Sequence, residues 1–239
     1  MALGFAAAGD IFTIAVAITC LWPRWFWKPQ RSKIDGVNWR DIMIARSEPP
    51  ALLDLMKEVR ACRHCAGELP LGPNPVLSVS SHATLLIVGQ APGTKVHNTG
   101  VPWNDPSGDR LRQWLDIDRE QFYHDPRIGI MPMGFCYPGK GSSGDLPPRP
   151  ECAPKWHQAL LLHMPRLAMV LLIGQYAQRY YLERDRLSLA ERVKSHPRND
   201  YFMLLPHPSP RNRRWLSQNP WFESDVVPVL QHRVKQLLM

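Results

Sequence analysis

Residues 83–93 are Ala-Thr-Leu-Leu-Ile-Val-Gly-Gln-Ala-Pro-Gly, an apolar run that ends at a glycine and leads into a polar, proline-containing loop. A short continuous apolar run is typical of a parallel strand that is buried on both faces of a sheet. Three more runs of this kind follow along the chain. The four predicted strands span residues 83–89, 128–133, 168–174 and 201–205.

Segments with helical patterning lie between and around these strands. They span residues 50–61, 108–115, 154–164, 175–182 and, after the last strand, 226–238. Strands that alternate with helices predict a parallel sheet with helices on both faces. We therefore expect an α/β fold, a three-layer αβα sandwich with a central four-stranded parallel sheet.

Three distinctive loops follow the predicted strands. They are Gln90-Ala91-Pro92-Gly93, Cys136-Tyr137-Pro138-Gly139 and His207-Pro208-Ser209-Pro210. In an open parallel sheet, ligands bind outside the carboxyl ends of the strands. The functional site is predicted at that edge.

The composition is that of a basic protein with one core. The chain has 239 residues, of which 44% are hydrophobic, enough for a single domain with extensions. The 29 Lys and Arg exceed the 21 Asp and Glu, which gives a net charge of +8. This excess favours a polyanionic partner, nucleic acid first and an anionic membrane surface second, although a merely soluble basic protein fits the charge equally well.

The first 49 residues are predicted to be an extension outside the fold, with the domain at residues 50–239. Their apolar run from Ile11 to Trp22 is too short to span a bilayer, and no Lys or Arg precedes Arg24 as a secretory signal would require. A weak membrane anchor is one interpretation. The favoured one is a stretch upstream of the true start at Met43. We expect a monomer in the reducing cytoplasm, with no membrane partner.

The cysteines predict a metal centre. Cys62 and Cys65 form a Cys-x-x-Cys pair, and Cys136 and Cys152 follow far along the chain. Four thiolates suit zinc or an iron-sulfur cluster, and the spacing alone does not distinguish them. A redox pair or inert buried thiols are the alternatives. Cys20 belongs to the extension and is not an expected ligand.

Taken together, these motifs form an ordered series. A Cys-x-x-Cys pair, Gly-Gln-Ala-Pro-Gly, two cysteines sixteen positions apart and His-Pro-Ser-Pro follow one another, and Gly100-Val101-Pro102-Trp103 comes seven residues after Gly93. From about Leu52 to the C-terminus, the order and spacing resemble the iron-sulfur uracil-DNA glycosylases called family 4.

The resemblance implies a role for each motif. It places a four-iron four-sulfur cluster on the four cysteines. His207 would stabilise the departing base, Trp103 would stack on it, and Arg211, Arg213 and Arg214 would contact DNA. The full predicted set is: catalytic His207, Gln90 and Asp105; substrate-binding Ala91, Pro92, Gly93, Trp103 and Ser209; DNA-binding Ser107, Arg211, Arg213 and Arg214; metal-binding Cys62, Cys65, Cys136 and Cys152.

Several positions depart from the family pattern where uracil chemistry is concerned. Gln90 stands where the family usually has Glu, and Ala91 stands where another branch has a water-activating Asp. Val96 replaces a further Glu. Pro132 occupies the place of the Asn that recognises uracil, and proline has no side-chain hydrogen-bonding group.

Replacement groups for these roles occur nearby in the sequence. Asp105, Asp109 or Asp145 could orient a water molecule, and His97 could act as a general base. Asn98 could replace the missing amide.

The expected function is hydrolysis of the N-glycosidic bond of uracil or a related damaged base in single- or double-stranded DNA, a repair activity. The alternative is a non-catalytic iron-sulfur protein that binds nucleic acid and has lost hydrolysis. An enzyme acting on free nucleosides or nucleotides is the third possibility, and the arginine cluster makes it less attractive.

Overall fold

Four parallel strands form the centre of the protein in the computed structural model, which describes residues 48–142, 144–182, 185–198 and 200–239. The described strands are β1 (Leu85–Val88), β2 (Ile128–Ile130), β3 (Lys140–Gly141), β4 (Gly144–Asp145), β5 (Met169–Ile173) and β6 (Phe202–Leu205), of which β1, β2, β5 and β6 form the central sheet. The sheet has the order β2-β1-β5-β6, and every neighbouring pair is parallel. β3 and β4 form a separate antiparallel hairpin.

Helices follow most of these strands. Those described are α1 (Pro50–Arg60), α2 (Thr94–Thr99), α3 (Pro106–Leu115), α4 (Arg119–His124), α5 (Cys152–Leu161), α6 (Gln175–Tyr181), α7 (Leu189–Ser195), α8 (Arg213–Gln218) and α9 (Val227–Leu238). A π-helical turn, Phe222–Val226, leads into α9. The four short helices α2, α4, α7 and α8 and the hairpin were not predicted from the sequence.

The central sheet is covered on both faces. Every residue of β1 and β5 is buried, although successive side chains of a strand point to opposite faces. Helices therefore lie on each side, as an all-parallel sheet requires. The predicted α/β fold with a central four-stranded parallel sheet is confirmed, and the observed strands lie within the predicted ranges.

The predicted extension lies almost entirely outside the described residues, and so does Cys20. Glu48, at the start of the described part, is buried, and its carboxylate accepts a hydrogen bond from the Ser81 N–H at 2.8 Å. In the described ranges, no helix is long and apolar enough to cross a membrane.

The loops after β1 and β2 run side by side at the carboxyl edge of the sheet. The Met133 N–H donates to the carbonyl of Gly89 at 2.9 Å, and the Gly134 N–H donates to that of Gln90 at 3.0 Å. These bonds continue the parallel pairing beyond the strands. They fix the Gln-Ala-Pro-Gly loop next to Pro132.

Candidate active site

A cavity of about 620 Å³ opens at the carboxyl edge of the sheet. Loops that follow all four strands contribute to its wall, and so does the β3–β4 hairpin. From the predicted site, the wall contains Gln90, Ala91, Pro92, Gly93, Trp103, Asp105, Ser107, His207, Ser209 and Arg211. The tertiary fold thus brings together residues that are more than 100 positions apart in the chain.

His207 lies two residues after the end of β6, where the chain leaves the sheet. The Ser209 N–H donates to His207 Nδ1 at 3.2 Å, so Nδ1 is an acceptor and the ring proton of the neutral form lies on Nε2. Burial lowers the pKa of His207, and the negative charge of Asp105 partly opposes that effect. The imidazole is therefore neutral at physiological pH and can donate one hydrogen bond from Nε2.

The loop that carries His207 is held by its own side chains. Asn212 Nδ2 donates to the His207 carbonyl at 2.8 Å, and the Ser209 hydroxyl accepts from the Arg211 N–H at 3.2 Å. Asn212 also lines the cavity. These short-range bonds hold the imidazole in position before any ligand binds.

Trp103 lies next to His207, with 5.6 Å between the ring centroids. Its backbone has a φ of 55°, which is uncommon for a bulky residue, and two glycines make this conformation possible. A Cβ on Gly89 would be 2.7 Å from the indole, and a Cβ on Gly108 would collide with the Trp103 carbonyl oxygen. Arg112 also donates to that oxygen at 3.4 Å. A strained residue held in this way from several sides is a mark of functional sites.

Pro132 also lines the cavity, and its carbonyl points away from it into the core. His157, which is buried, bonds that carbonyl through Nε2 at 3.1 Å and the Tyr181 hydroxyl through Nδ1 at 2.6 Å. Burial lowers the pKa of His157 to about 4, so the ring is neutral. Nε2 then donates to the carbonyl, and Nδ1 accepts from the hydroxyl. This network was not foreseen, because residues 25 and 24 positions apart have no local signal in the sequence.

The carboxylates that were candidates for activating water lie in different places. Asp105 lines the cavity, but it also caps α3, accepting from the Gly108 N–H at 2.9 Å. Asp109 pairs with Arg112 and is not part of the cavity wall. Asp145, in β4, does line the cavity. Two of the three candidates therefore face the same space.

The remaining candidates face elsewhere. His97 is not part of the cavity wall; its ring lies 6.1 Å from that of Tyr137, and its Nδ1 is buried without a partner. Asn98 is exposed on α2. The predicted general base and the predicted replacement amide therefore do not reach the cavity in this conformation.

The basic loop extends from the cavity to the surface. Arg211 lines the cavity, whereas Arg213 and Arg214 begin α8 and are exposed. Arginines on this side could contact the phosphates of a nucleic acid whose base enters the cavity.

The four cysteines lie at a second location, where they line one small space. Cys62 and Cys65 follow α1, and Cys152 is the first residue of α5. Burial raises the pKa of Cys152 to about 12, and the other three cysteines add to this effect. The Phe135 N–H donates to Cys152 Sγ at 3.4 Å. No group of three or more Cys, His, Asp or Glu within the described ranges is arranged to hold a metal ion.

A comparison with protein families decides what kind of protein carries this site. A model of the Uracil DNA glycosylase superfamily matches residues 78–231, well over half of the chain. The chain belongs to the uracil-DNA glycosylase superfamily. The match includes the Gln-Ala-Pro-Gly loop, Trp103 and His207, and it begins after Cys62 and Cys65.

Members of the uracil-DNA glycosylase superfamily act on DNA. Sequence patterns did not identify two contributors to the site, Asn212 and His157. Asn212 lies five residues after His207, and its side chain reaches the His207 carbonyl only because the chain turns between them. His157 acts from behind the cavity wall, through a carbonyl group.

Proposed function

We propose that the protein is a DNA glycosylase that hydrolyses the N-glycosidic bond of uracil or a related damaged base. The observation that carries this proposal is His207, a neutral imidazole with its proton on Nε2, in the wall of a cavity large enough for a base. Superfamily membership supports the same class of reaction.

His207 would act on the departing base. Cleavage of the glycosidic bond leaves negative charge on a base oxygen and cationic character on the sugar. A fixed N–H donor at that oxygen stabilises the transition state more than the ground state. A neutral imidazole keeps its Nε2 proton while negative charge develops on the base. It therefore remains a hydrogen-bond donor throughout cleavage.

Trp103 and Gln90 would hold the base before cleavage. An extruded base needs an aromatic surface and hydrogen bonds to its edge. The indole of Trp103 supplies the surface. The Gln90 amide has no hydrogen-bond partner within the described residues and lies beside Pro132, so it would supply hydrogen bonds that proline lacks.

The basic loop would bind the DNA backbone. The basic loop contains Arg211, Arg213 and Arg214. No acidic residue lies between His207 and Glu223 in the sequence. Such contacts neutralise phosphates and give affinity without sequence recognition. Ser107 and Ser209, both in the cavity wall, would add hydroxyl donors at its mouth.

We further propose that Cys62, Cys65, Cys136 and Cys152 hold a four-iron four-sulfur cluster, as in the family 4 enzymes. The donor set fits, because four thiols from three segments surround one space with apolar walls, which include Phe135 and Trp156. In a cluster, each sulfur would bind a different iron atom. The four thiols therefore need not approach one another as closely as they would around a single ion. The cluster would supply structural cross-linking and no part of the hydrolysis.

The alternative is a DNA-binding protein without hydrolytic activity. Ala91 and Pro132 favour it, because neither position offers a side chain that activates water or recognises the base edge. The two proposals share the fold, the cluster and the basic loop. They differ only in whether a base is released.

One experiment separates them. Single- and double-stranded oligonucleotides containing one uracil, hypoxanthine or xanthine are incubated with the protein, and abasic sites are cleaved by alkali and counted on a gel. We expect product from at least one substrate. His207→Ala should lower the rate about a hundredfold to a thousandfold with DNA affinity nearly unchanged. His232→Ala, an exposed histidine on α9, is the matched control. DNA binding without product from any substrate would support the alternative.

A further inference from the structure

The cavity lacks a carboxylate on the Gln-Ala-Pro-Gly loop, yet two carboxylates from other segments line it. They are Asp105 and Asp145. Asp105 is engaged at the start of α3, where it accepts the Gly108 N–H bond that satisfies a helix donor. A carboxylate that leaves this position would also uncap the helix. Asp145 has no such structural task.

Asp145 lies against the Gln-Ala-Pro-Gly loop, which has no carboxylate of its own. Its Oδ2 is 3.4 Å from the position that a Cβ on Gly93 would occupy. No hydrogen bond or ion pair engages this carboxylate within the described residues, and the side chain is exposed to the cavity. The carboxylate is therefore accessible to water in the cavity and lies beside Gly93, two positions along the chain from Ala91.

The hairpin that carries Asp145 packs against the loop that carries His207 and Arg211. The Leu146 N–H donates to the Gly139 carbonyl at 2.8 Å, which closes the base of the hairpin. At its other end, the Arg211 guanidinium occupies the space that a Cβ on Gly144 would need, and Gly144 has a φ of 152°. Arg211, from the His207 loop, thus packs against the strand that contains Asp145. The His207 loop and the hairpin, which both line the cavity, meet at this contact.

We infer that Asp145 is the residue that orients and deprotonates the attacking water, an inference that rests on the proposed glycosylase function. The water oxygen forms a bond to the sugar C1′ as the bond between C1′ and the base nitrogen breaks. The water proton passes to the Asp145 carboxylate, and the bonding electron pair leaves with the base. His207 donates its hydrogen bond to the base oxygen, and solvent then protonates the released base.

This assignment places acid–base chemistry on two separate walls. His207 follows β6 and acts on the base, whereas Asp145 enters from the hairpin and acts on the water. The carboxylate at the position of Ala91 in another branch of the superfamily would be replaced by one from a distant segment. Proximity in space, rather than position in the motif, would preserve the function.

The test compares single-turnover rates of base release by the wild type, Asp145→Asn, Asp145→Ala and Asp54→Asn. Asp145→Asn keeps the shape of the side chain and should lower the rate about a hundredfold or more, the usual contribution of a general base. DNA affinity and melting temperature should stay within experimental error. Asp54→Asn alters an exposed aspartate on α1, outside the cavity, and should leave the rate unchanged.

Chemical rescue distinguishes a base from a structural residue. Formate added to Asp145→Ala should restore part of the rate in proportion to its concentration, and it should not accelerate the wild type. An active wild type with a normal rate in Asp145→Asn would overturn the role of Asp145 alone. An active wild type with a slow Asp145→Ala that formate does not accelerate would do the same. No product from the wild type on any substrate would overturn the glycosylase proposal itself.

Discussion

Acid should destabilise this protein through one buried histidine. His157 is almost completely buried and neutral, and it links the carbonyl of Pro132 in the cavity wall to the Tyr181 hydroxyl. Burial lowers its pKa from 6.5 to about 4. Protonation would place a positive charge on a ring that burial keeps away from water. The folded state therefore resists protonation that the unfolded chain accepts freely.

The sign and size of the effect follow from this difference. Between about pH 6.5 and pH 4 the unfolded chain binds more protons at this residue than the folded protein does, so the free energy of unfolding falls as the pH falls. Integration from pH 7 gives a loss of about 2 kcal/mol at pH 5 and about 3 kcal/mol at pH 4 from His157 alone. The lowered pKa of His207 adds a loss in the same direction.

Urea unfolding at a series of pH values measures this loss. His157→Gln removes the titration but keeps an amide donor for the Pro132 carbonyl, so it should be less stable at pH 7 and lose less stability on acidification. The difference between the wild-type and variant curves isolates His157 from His207. His232→Gln, exposed on α9, should follow the wild type. Parallel curves for the wild type and His157→Gln would refute the reasoning.

Three further outcomes are expected. Cys136→Ser should remove a broad visible absorbance at about 400 nm and lower the melting temperature, whereas Cys20→Ser should do neither. A colourless wild type with one zinc ion would contradict the iron assignment. Arg213→Ala should weaken DNA binding equally across sequences and reduce the salt slope by about one, and an unchanged slope would count against a phosphate contact. Gly108→Ala should cost about 2 kcal/mol or more in urea unfolding, because a Cβ there collides with the Trp103 carbonyl. A loss below about 0.5 kcal/mol would show that Trp103 is not fixed in this way.

The predicted elements show which features are local. Continuous apolar runs placed all four sheet strands, since a strand buried on both faces has no alternation to obscure it. The four long helices and the seven-residue α6 were also found, within about three residues at their ends. The short helices α2, α4, α7 and α8 were missed because six or seven residues give little periodicity; α6 is as short, but it directly follows a predicted strand.

The motifs of the site could be recognised in the sequence, but the sequence did not show which of the candidate carboxylates lines the cavity. The Gln-Ala-Pro-Gly loop and His207 were recognisable because each follows a strand, and Trp103 because its spacing from Gly93 resembles that of the family 4 enzymes. Asp145 could be named only as one carboxylate among several. Its position beside Gly93 depends on a hairpin between Cys136 and Cys152 that has two residues in each strand. Strands of two residues are too short to be recognised from a sequence pattern. Only the folded structure therefore shows that the hairpin reaches the cavity.

The sequence alone thus determined the sheet, the edge where ligands bind and the chemical groups available there, because these follow from local hydrophobicity and from the direction of parallel strands. The tertiary structure decided which groups share the cavity. It engaged Asp105 at a helix start, turned His97 away and put Asp145 in the wall. It also assigned the proton of His207 to Nε2, through a hydrogen bond from the Ser209 N–H. These are distances and hydrogen bonds between specific atoms, and side-chain orientation in a packed interior is set by the neighbours that only folding supplies.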